Sequence, residues 1–340
     1  MGPVSGGVYQ RRVEIRSTMN RLEEFVDIFN GVKPWAGFVP KGHLVDFLGT
    51  LTDARFQPLS VRDPSSLGGG QIETRLPVIG DGEAWFEAVN WIAAARAARE
   101  RFVMITLGAC FGAQAVGSYR AVQRLNPLPC LLVAVEPEPA NFQWLHRHLR
   151  DNGIDPDAHW LVPLALSDGN DPVFFPVGSP GTGAQNCFST NHADARRYYA
   201  DQLIASRSPK EALRNLLIKN TTGLTKDLVP GANVMAEIKS LSAITLRDLL
   251  GPLPLVDYLE SDIQQSEAIV FPPFIDLLKR KVRRIHIGTH GLDTHRMLHD
   301  LFAEHGWEIV FSFAPNAKHD SALGGFETND GVLTVRNRDL

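Results

Sequence analysis

The chain has 340 residues, 44% hydrophobic and 21% charged, the make-up of a folded protein long enough for one large α/β domain with additions. A formal net charge of -4 supplies no general attraction to nucleic acid or to an anionic membrane. Cys110, Cys130 and Cys187 are odd in number and widely spaced, which argues against a disulfide framework or a Cys-based zinc site. No apolar run approaches the ~20 residues that span a bilayer, and the opening MGPVSGGVYQRR lacks the apolar core of a secretory signal. A cytoplasmic protein is the expectation.

Residues 1–80 read as a helical cap on the rest of the chain. Leu22, Phe25, Val26 and Phe29 recur at helical spacing within MNRLEEFVDIF, and Leu44 to Leu51 continues in that vein. A Gly/Ser/Pro connector, DPSSLGGGQ, follows at Asp63 to Gln71. Residues 81–340 form the main domain. It begins with an Ala-rich helix over Asp81 to Glu100, whose buried face is Trp85, Phe86, Val89 and Ile92. Phe102 to Leu107, FVMITL, is short and apolar throughout, as suits a strand covered on both faces of a parallel sheet. Gly108 and Gly112 then let the backbone turn sharply and approach a ligand, and a helix starting near Gly112 or Ala113 turns its first amides toward an anionic group. Leu131 to Val135 is a second buried strand. Glu136 at its carboxyl end is placed to accept hydrogen bonds from both hydroxyls of a ribose. Pro137 and Pro139 open the next helix, Phe142, Leu145 and Leu149 line it, and Gly153 ends it.

A third strand is expected over Trp160 to Leu166. It ends in Ser167-Asp168, which either lies beside an adenine or simply caps the strand. Residues from about 176 to 240 interrupt the alternation as an insertion over the ligand, with Asn186 and His192 as acceptor contacts or as ordinary loop residues. Leu255 to Ser261 is a fourth strand with Asp262 at its exit, Ser266 to Lys281 a helix, Ile285 to His290 a fifth strand and Thr294 to His305 another helix. Glu308 to Phe313 and Gly331 to Val335 supply an antiparallel edge. The run KRKVRR at Lys279 to Arg284 reads as a solvated helix end.

Strand, glycine turn, helix, strand and acid make the βαβ unit that binds a nucleoside-containing cofactor. The spacing is not Gly-x-Gly-x-x-Gly, which disfavours a pyrophosphate-binding, nicotinamide-dependent oxidoreductase. From about Arg101 to Phe313 the chain resembles the FkbM-type S-adenosylmethionine-dependent methyltransferases. The resemblance rests on LGACFG, on VAVEPEPANFQWLHRHLRDNGI, on LVPLALSDG, and on SAITLRDLL followed by VDYLESDIQQSEAIVF. It implies a Rossmann-like α/β fold of the class I methyltransferase kind, a mostly parallel twisted sheet with helices on both faces. It also implies S-adenosyl-L-methionine as cofactor, held by Thr106, Gly108, Ala109, Cys110, Gly112, Glu136, Pro137, Ser167 and Asp168. The implied reaction is methylation of a hydroxyl on a saccharide or other small-molecule acceptor. Three positions depart from the family pattern: Thr106 replaces an acid two places before the first glycine, Gln265 a glycine, and Gly288 an acid.

Methyl transfer from a sulfonium is an in-line displacement, so it needs chiefly an acceptor held at close range, and a hydroxyl acceptor gains from a base. Asp262 or His290 is expected to take the proton and Glu267 to help fix the acceptor. Helix capping is the competing role for Asp262. Asp262, Glu267, His286 and His290 are also the residue types of a divalent-metal site, against which His286 lies within a strand, where a core histidine is the commoner outcome. The three departures motivate a second reading, a protein of the same fold that binds the nucleoside without catalysis. No nucleic-acid or membrane partner is indicated, and a homo-oligomer is left open.

Overall fold

The computed structural model describes residues 22–56, 69–177 and 237–340. Its centre is a seven-stranded sheet of β1 (Phe102–Leu107), β2 (Cys130–Val135), β3 (Trp160–Val162), β4 (Tyr258–Ser261), β5 (Arg284–Thr289), β6 (Glu308–Phe313) and β7 (Gly331–Arg336), in the order β6-β7-β5-β4-β1-β2-β3. Strands β3, β2, β1, β4 and β5 run parallel, while β7 lies antiparallel between β5 and β6. Strand order therefore reverses between β1 and β4, where an open α/β sheet leaves a crevice beyond its carboxyl ends.

All six residues of β1 are buried, and the strand alternates between two cores. Phe102 and Met104 pack beneath α1 (Glu83–Ala97) and α2 (Ala113–Leu125). Val103, Ile105 and Leu107 face the opposite layer, with α4 (Leu246–Leu250), α6 (Ile275–Lys281) and α7 (Leu292–Glu304). Each such side chain contributes roughly 1.5–3 kcal/mol through burial, which is why an uninterrupted apolar run lies at the middle of the sheet. The helix after β2, α3 (Pro139–Asp151), starts with proline at its first position and a Glu138 carboxylate that accepts from the Asn141 amide.

Several boundaries differ from expectation, each for a local reason. The third strand stops at Val162 because Pro163 has no amide to continue the ladder; Ala165–Leu166 pairs instead with Ala243–Ile244. The helix foreseen over Ser266 to Lys281 is split at Pro272-Pro273 into α5 (Glu267–Val270), a 3-10 turn and α6. Leu44 to Leu51 is not helical: His43–Val45 pairs with Leu51–Asp53 across a turn in which Asp46 accepts the Leu48 and Thr50 amides and Gly49 adopts φ +83°. Leu22–Phe29 winds as a 3-10 helix, and with Phe47 and Leu48 it joins the core beneath α1. A hairpin of Ala317–Ser321 and Gly324–Thr328 lies between β6 and β7 and was not foreseen.

At the ends of the insertion, Val173–Val177 and Glu237–Leu241 pair antiparallel, so strands stand where none was expected. Asn186 and His192 lie outside the described residues. Among the described residues, no helix is long and apolar enough to cross a membrane.

Helix α2 rests on α1 through Gly117, where an added Cβ would stand 2.6 Å from the Trp91 ring. Gly→Ala inside a helix ordinarily stabilises by about 0.5–1 kcal/mol. Here overpacking wins, and Gly117→Ala should cost about 1–3 kcal/mol; a urea midpoint at or above that of the wild type would refute this packing.

Candidate functional site

The exits of β1, β2 and β4 meet at the reversal of strand order, where Gly108, Val135, Glu136, Pro137, Leu166, Ile263 and Ser266 enclose a narrow crevice of about 20 Å³. Three of the expected cofactor residues, Gly108, Glu136 and Pro137, are brought together there. Glu136 is 1% exposed. Its two oxygens accept the Cys110 amide at 2.7 Å and the Glu138 amide at 2.8 Å. Burial pushes its carboxyl up to about 7, against the lowering effect of those two amides. A carboxylate offers about four acceptor positions; the two amides and the Asn141 side chain occupy three, which leaves room for a ribose hydroxyl.

The rest of the glycine turn differs from expectation. The Gly108 and Ala109 amides both donate to the Val135 carbonyl, Cys110 donates to Glu136, and Gly112 donates to the Ala109 carbonyl. These amides are thus engaged within the turn rather than presented to an anion. The glycines answer to packing: a Cβ on Gly108, at φ +76°, would collide with the Asp262 carbonyl, and one on Gly112, at φ +89°, with Leu145 of α3. Cys110 itself holds φ +49°, and burial pushes its thiol up to about 12, so it is no nucleophile at neutral pH.

Thr106 does not reach the crevice. It is buried in the sheet and its hydroxyl donates to Glu260 on β4, its lateral neighbour in register. The Ser167 hydroxyl is spent on Asp168, which is itself exposed. Leu166, Ile263 and Ser266 were not singled out from sequence. The signal available was their place one residue before Ser167 and within four residues after Asp262.

Beyond the end of β4 lies a second cluster. His290 Nε2 stands 3.2 Å from Asp262 Oδ1 and 3.4 Å from Asp330 Oδ1, and its Nδ1 is 3.8 Å from Glu267 Oε1. Burial opposes a charge on His290, but Asp330, Glu267 and Asp262 outweigh it and lift the ring to about 10. A ring so raised is held as an imidazolium at neutral pH, the form that donates to these carboxylates. Burial raises the Asp262 carboxyl to about 6, with His290 pulling the other way and the neighbouring Glu267 and Asp330 charges adding to the rise. Its side chain nonetheless keeps 47% exposure, so solvent offsets part of that rise and the carboxyl is open to an incoming group. Glu267 is fully buried, and its Oε1 accepts the Ile263 amide at 2.8 Å. It holds the loop after β4, while its Oε2 is buried with no hydrogen-bond partner among the described residues.

His286, weighed as a metal ligand, sits apart from this cluster. Its ring bonds Asn90 and Thr334 inside the core, and burial lowers it to about 3. A wider cavity of about 790 Å³ opens between the start of α1 and the 317–328 hairpin, with Glu83, Glu87, Asp320 and Asn329 in its wall. Glu83 ties it to the cluster by accepting the Asn329 and Asp330 amides.

No family model matches the chain, and no characterised protein matches it in sequence. Among solved structures, an FkbM methyltransferase from Methylobacillus flagellatus KT shares 10% identity at a TM-score of 0.38, over 74% of this chain and 53% of that one. A precorrin-6y C5,15-methyltransferase from Geobacter metallireducens GS-15 shares 11% at 0.37, over 73% and 86%. TrmK of M. capricolum, solved with S-adenosyl-homocysteine, shares 6% at 0.29, over 73% and 67%. The strand order, five parallel strands with a reversal between β1 and β4 and an antiparallel β7, makes this a Rossmann-like α/β fold.

The cluster has a pH signature. A ring raised from about 6.5 to about 10 contributes stability that is complete below 6.5 and lost as pH climbs toward 10. Wild type should therefore exceed His290→Gln in urea stability at pH 6 by a margin that shrinks by pH 10, and an unchanged margin would remove the imidazolium.

Proposed function

We propose that the protein is an S-adenosylmethionine-dependent methyltransferase of the FkbM type, acting on a hydroxyl of a saccharide or other small-molecule acceptor. The observation that carries this reading is the meeting of Glu136, at the carboxyl end of β2, with Gly108 and the aliphatic walls of Leu166 and Ile263 at the reversal of strand order. A diol-binding acid beside an apolar slot is the chemistry of a nucleoside site. The crevice has room for about one water, so the ligand enters with movement of the walls.

When bound, the cofactor supplies an electrophilic methyl group. Glu136 binds the ribose and Pro137 borders it, while Val135, Leu166 and Ile263 exclude water from the base. Asp262 is the residue we assign to take the acceptor's proton. A carboxyl raised to about 6 is ionised at pH 7 yet more basic than a free aspartate. The His290 imidazolium, pinned by Asp330 and Glu267, orients Asp262. The wider cavity, with Glu83, Glu87 and Asp320 in its wall, offers hydrogen-bond acceptors to a hydroxyl-rich molecule.

Two substitutions test the two halves of the reading. Glu136→Gln should weaken S-adenosylhomocysteine binding by about tenfold, or ~1.4 kcal/mol, in titration calorimetry. Asp262→Asn should leave that binding intact and lower methyl transfer to an extract by about 10²-fold or more. Binding unchanged in the first, or transfer undiminished in the second, would sink the corresponding role.

A further inference from the structure

Ser266 is 2% exposed, yet its hydroxyl has no hydrogen-bond partner in the structure. It stands immediately before α5, where a serine ordinarily caps the helix, but it makes no capping bond. Instead it lines the crevice. A buried hydroxyl without a partner costs about 1–3 kcal/mol, and the approach to Ser266 carries a further cost. Gln264 and Gln265, the two residues before it, hold φ of +52° and +75°, a left-handed pair without glycine. The Gln264 side chain donating to Asp262, and Glu267 accepting the Ile263 amide, fix that path. Ser261 also has an unpartnered hydroxyl, but it does not border the crevice.

Among the described residues, the crevice wall has two polar side chains, Glu136 and Ser266, beside Val135, Pro137, Leu166 and Ile263. Aliphatic walls favour a flat ring and penalise a zwitterionic tail. We propose that the Ser266 hydroxyl is a specificity contact for the nucleoside half of the ligand, a second polar anchor beside Glu136. This rests on the methyltransferase reading above. A hydroxyl both donates and accepts, so it meets a ring nitrogen, an exocyclic amine or a ribose hydroxyl equally well.

The test is Ser266→Ala, titrated with S-adenosylhomocysteine and with 5′-methylthioadenosine, which lacks the amino-acid tail, together with melting of the unliganded protein. The expected result is an unliganded melting temperature equal to or above that of the wild type, and about tenfold weaker binding of both ligands. Equal binding by variant and wild type overturns the proposal and leaves the methyltransferase reading standing. Weakening confined to S-adenosylhomocysteine overturns the nucleoside assignment, as does a melting temperature lowered by several degrees, which makes the hydroxyl structural. Wild-type protein that binds neither ligand overturns the methyltransferase reading itself, and this inference with it.

Discussion

The Glu136 carboxylate is the interaction on which the site depends. It joins three segments: the turn after β1 through the Cys110 amide, the end of β2 that carries it, and the start of α3 through the Glu138 amide. Glu138 in turn accepts the Asn141 amide and so sets the first turn of α3. The Gly108 and Ala109 amides bond to Val135, one residue before Glu136, so the glycine turn is fastened to β2 at three points. That fastening holds Cys110 in its left-handed conformation. It also carries a cost: a carboxyl raised to about 7 is stabilised protonated, so its contribution declines as pH rises from about 4.5 toward 7. A buried acid held against stability at neutral pH is characteristic of a group kept for binding rather than for folding.

The sheet was largely legible because its inner strands are covered on both faces. FVMITL and LLVAV have no polar interruption apart from Thr106, and a run of that kind has few places to go except the centre of a parallel sheet. The antiparallel edge of β6 and β7 was legible for the same reason. What escaped was chemistry local to turns. Asp46 and Gly49 turn a segment with helical apolar spacing into a hairpin, and side-chain capture of two amides outweighs periodicity over so short a span. The 317–328 hairpin, AKHDSALGGFET, buries little of one face and so has scant apolar pattern to read.

Within the site, the residues legible in sequence were those whose type implies a task, the strand-end acids Glu136 and Asp262 and the turn glycines. Leu166, Ile263 and Ser266 carry no such mark. Only the reversal of strand order brings the ends of β1, β2 and β4 into one crevice. The glycines turn the backbone as their spacing implies, and the Asp262 backbone and Leu145 approach them where a ligand was expected. Spacing shows that a Cβ is unwelcome and does not show what stands in its place.

Thr106, Gln265 and Gly288, where the chain departs from the motifs it resembles, each have a physical account in the structure. Thr106 lies in register with Glu260 and donates to it, and burial holds the Glu260 carboxyl well above the usual carboxylate range, so this pair is a packed element of the sheet. Gln265 takes the left-handed conformation a glycine would take, held in a loop that Gln264 and Glu267 secure. Gly288 leaves open the space in which a side chain would lie against Asp262, its added Cβ 3.9 Å from the Asp262 carboxyl carbon. An acid there would set a second negative charge against Asp262, which already faces Glu267 and Asp330.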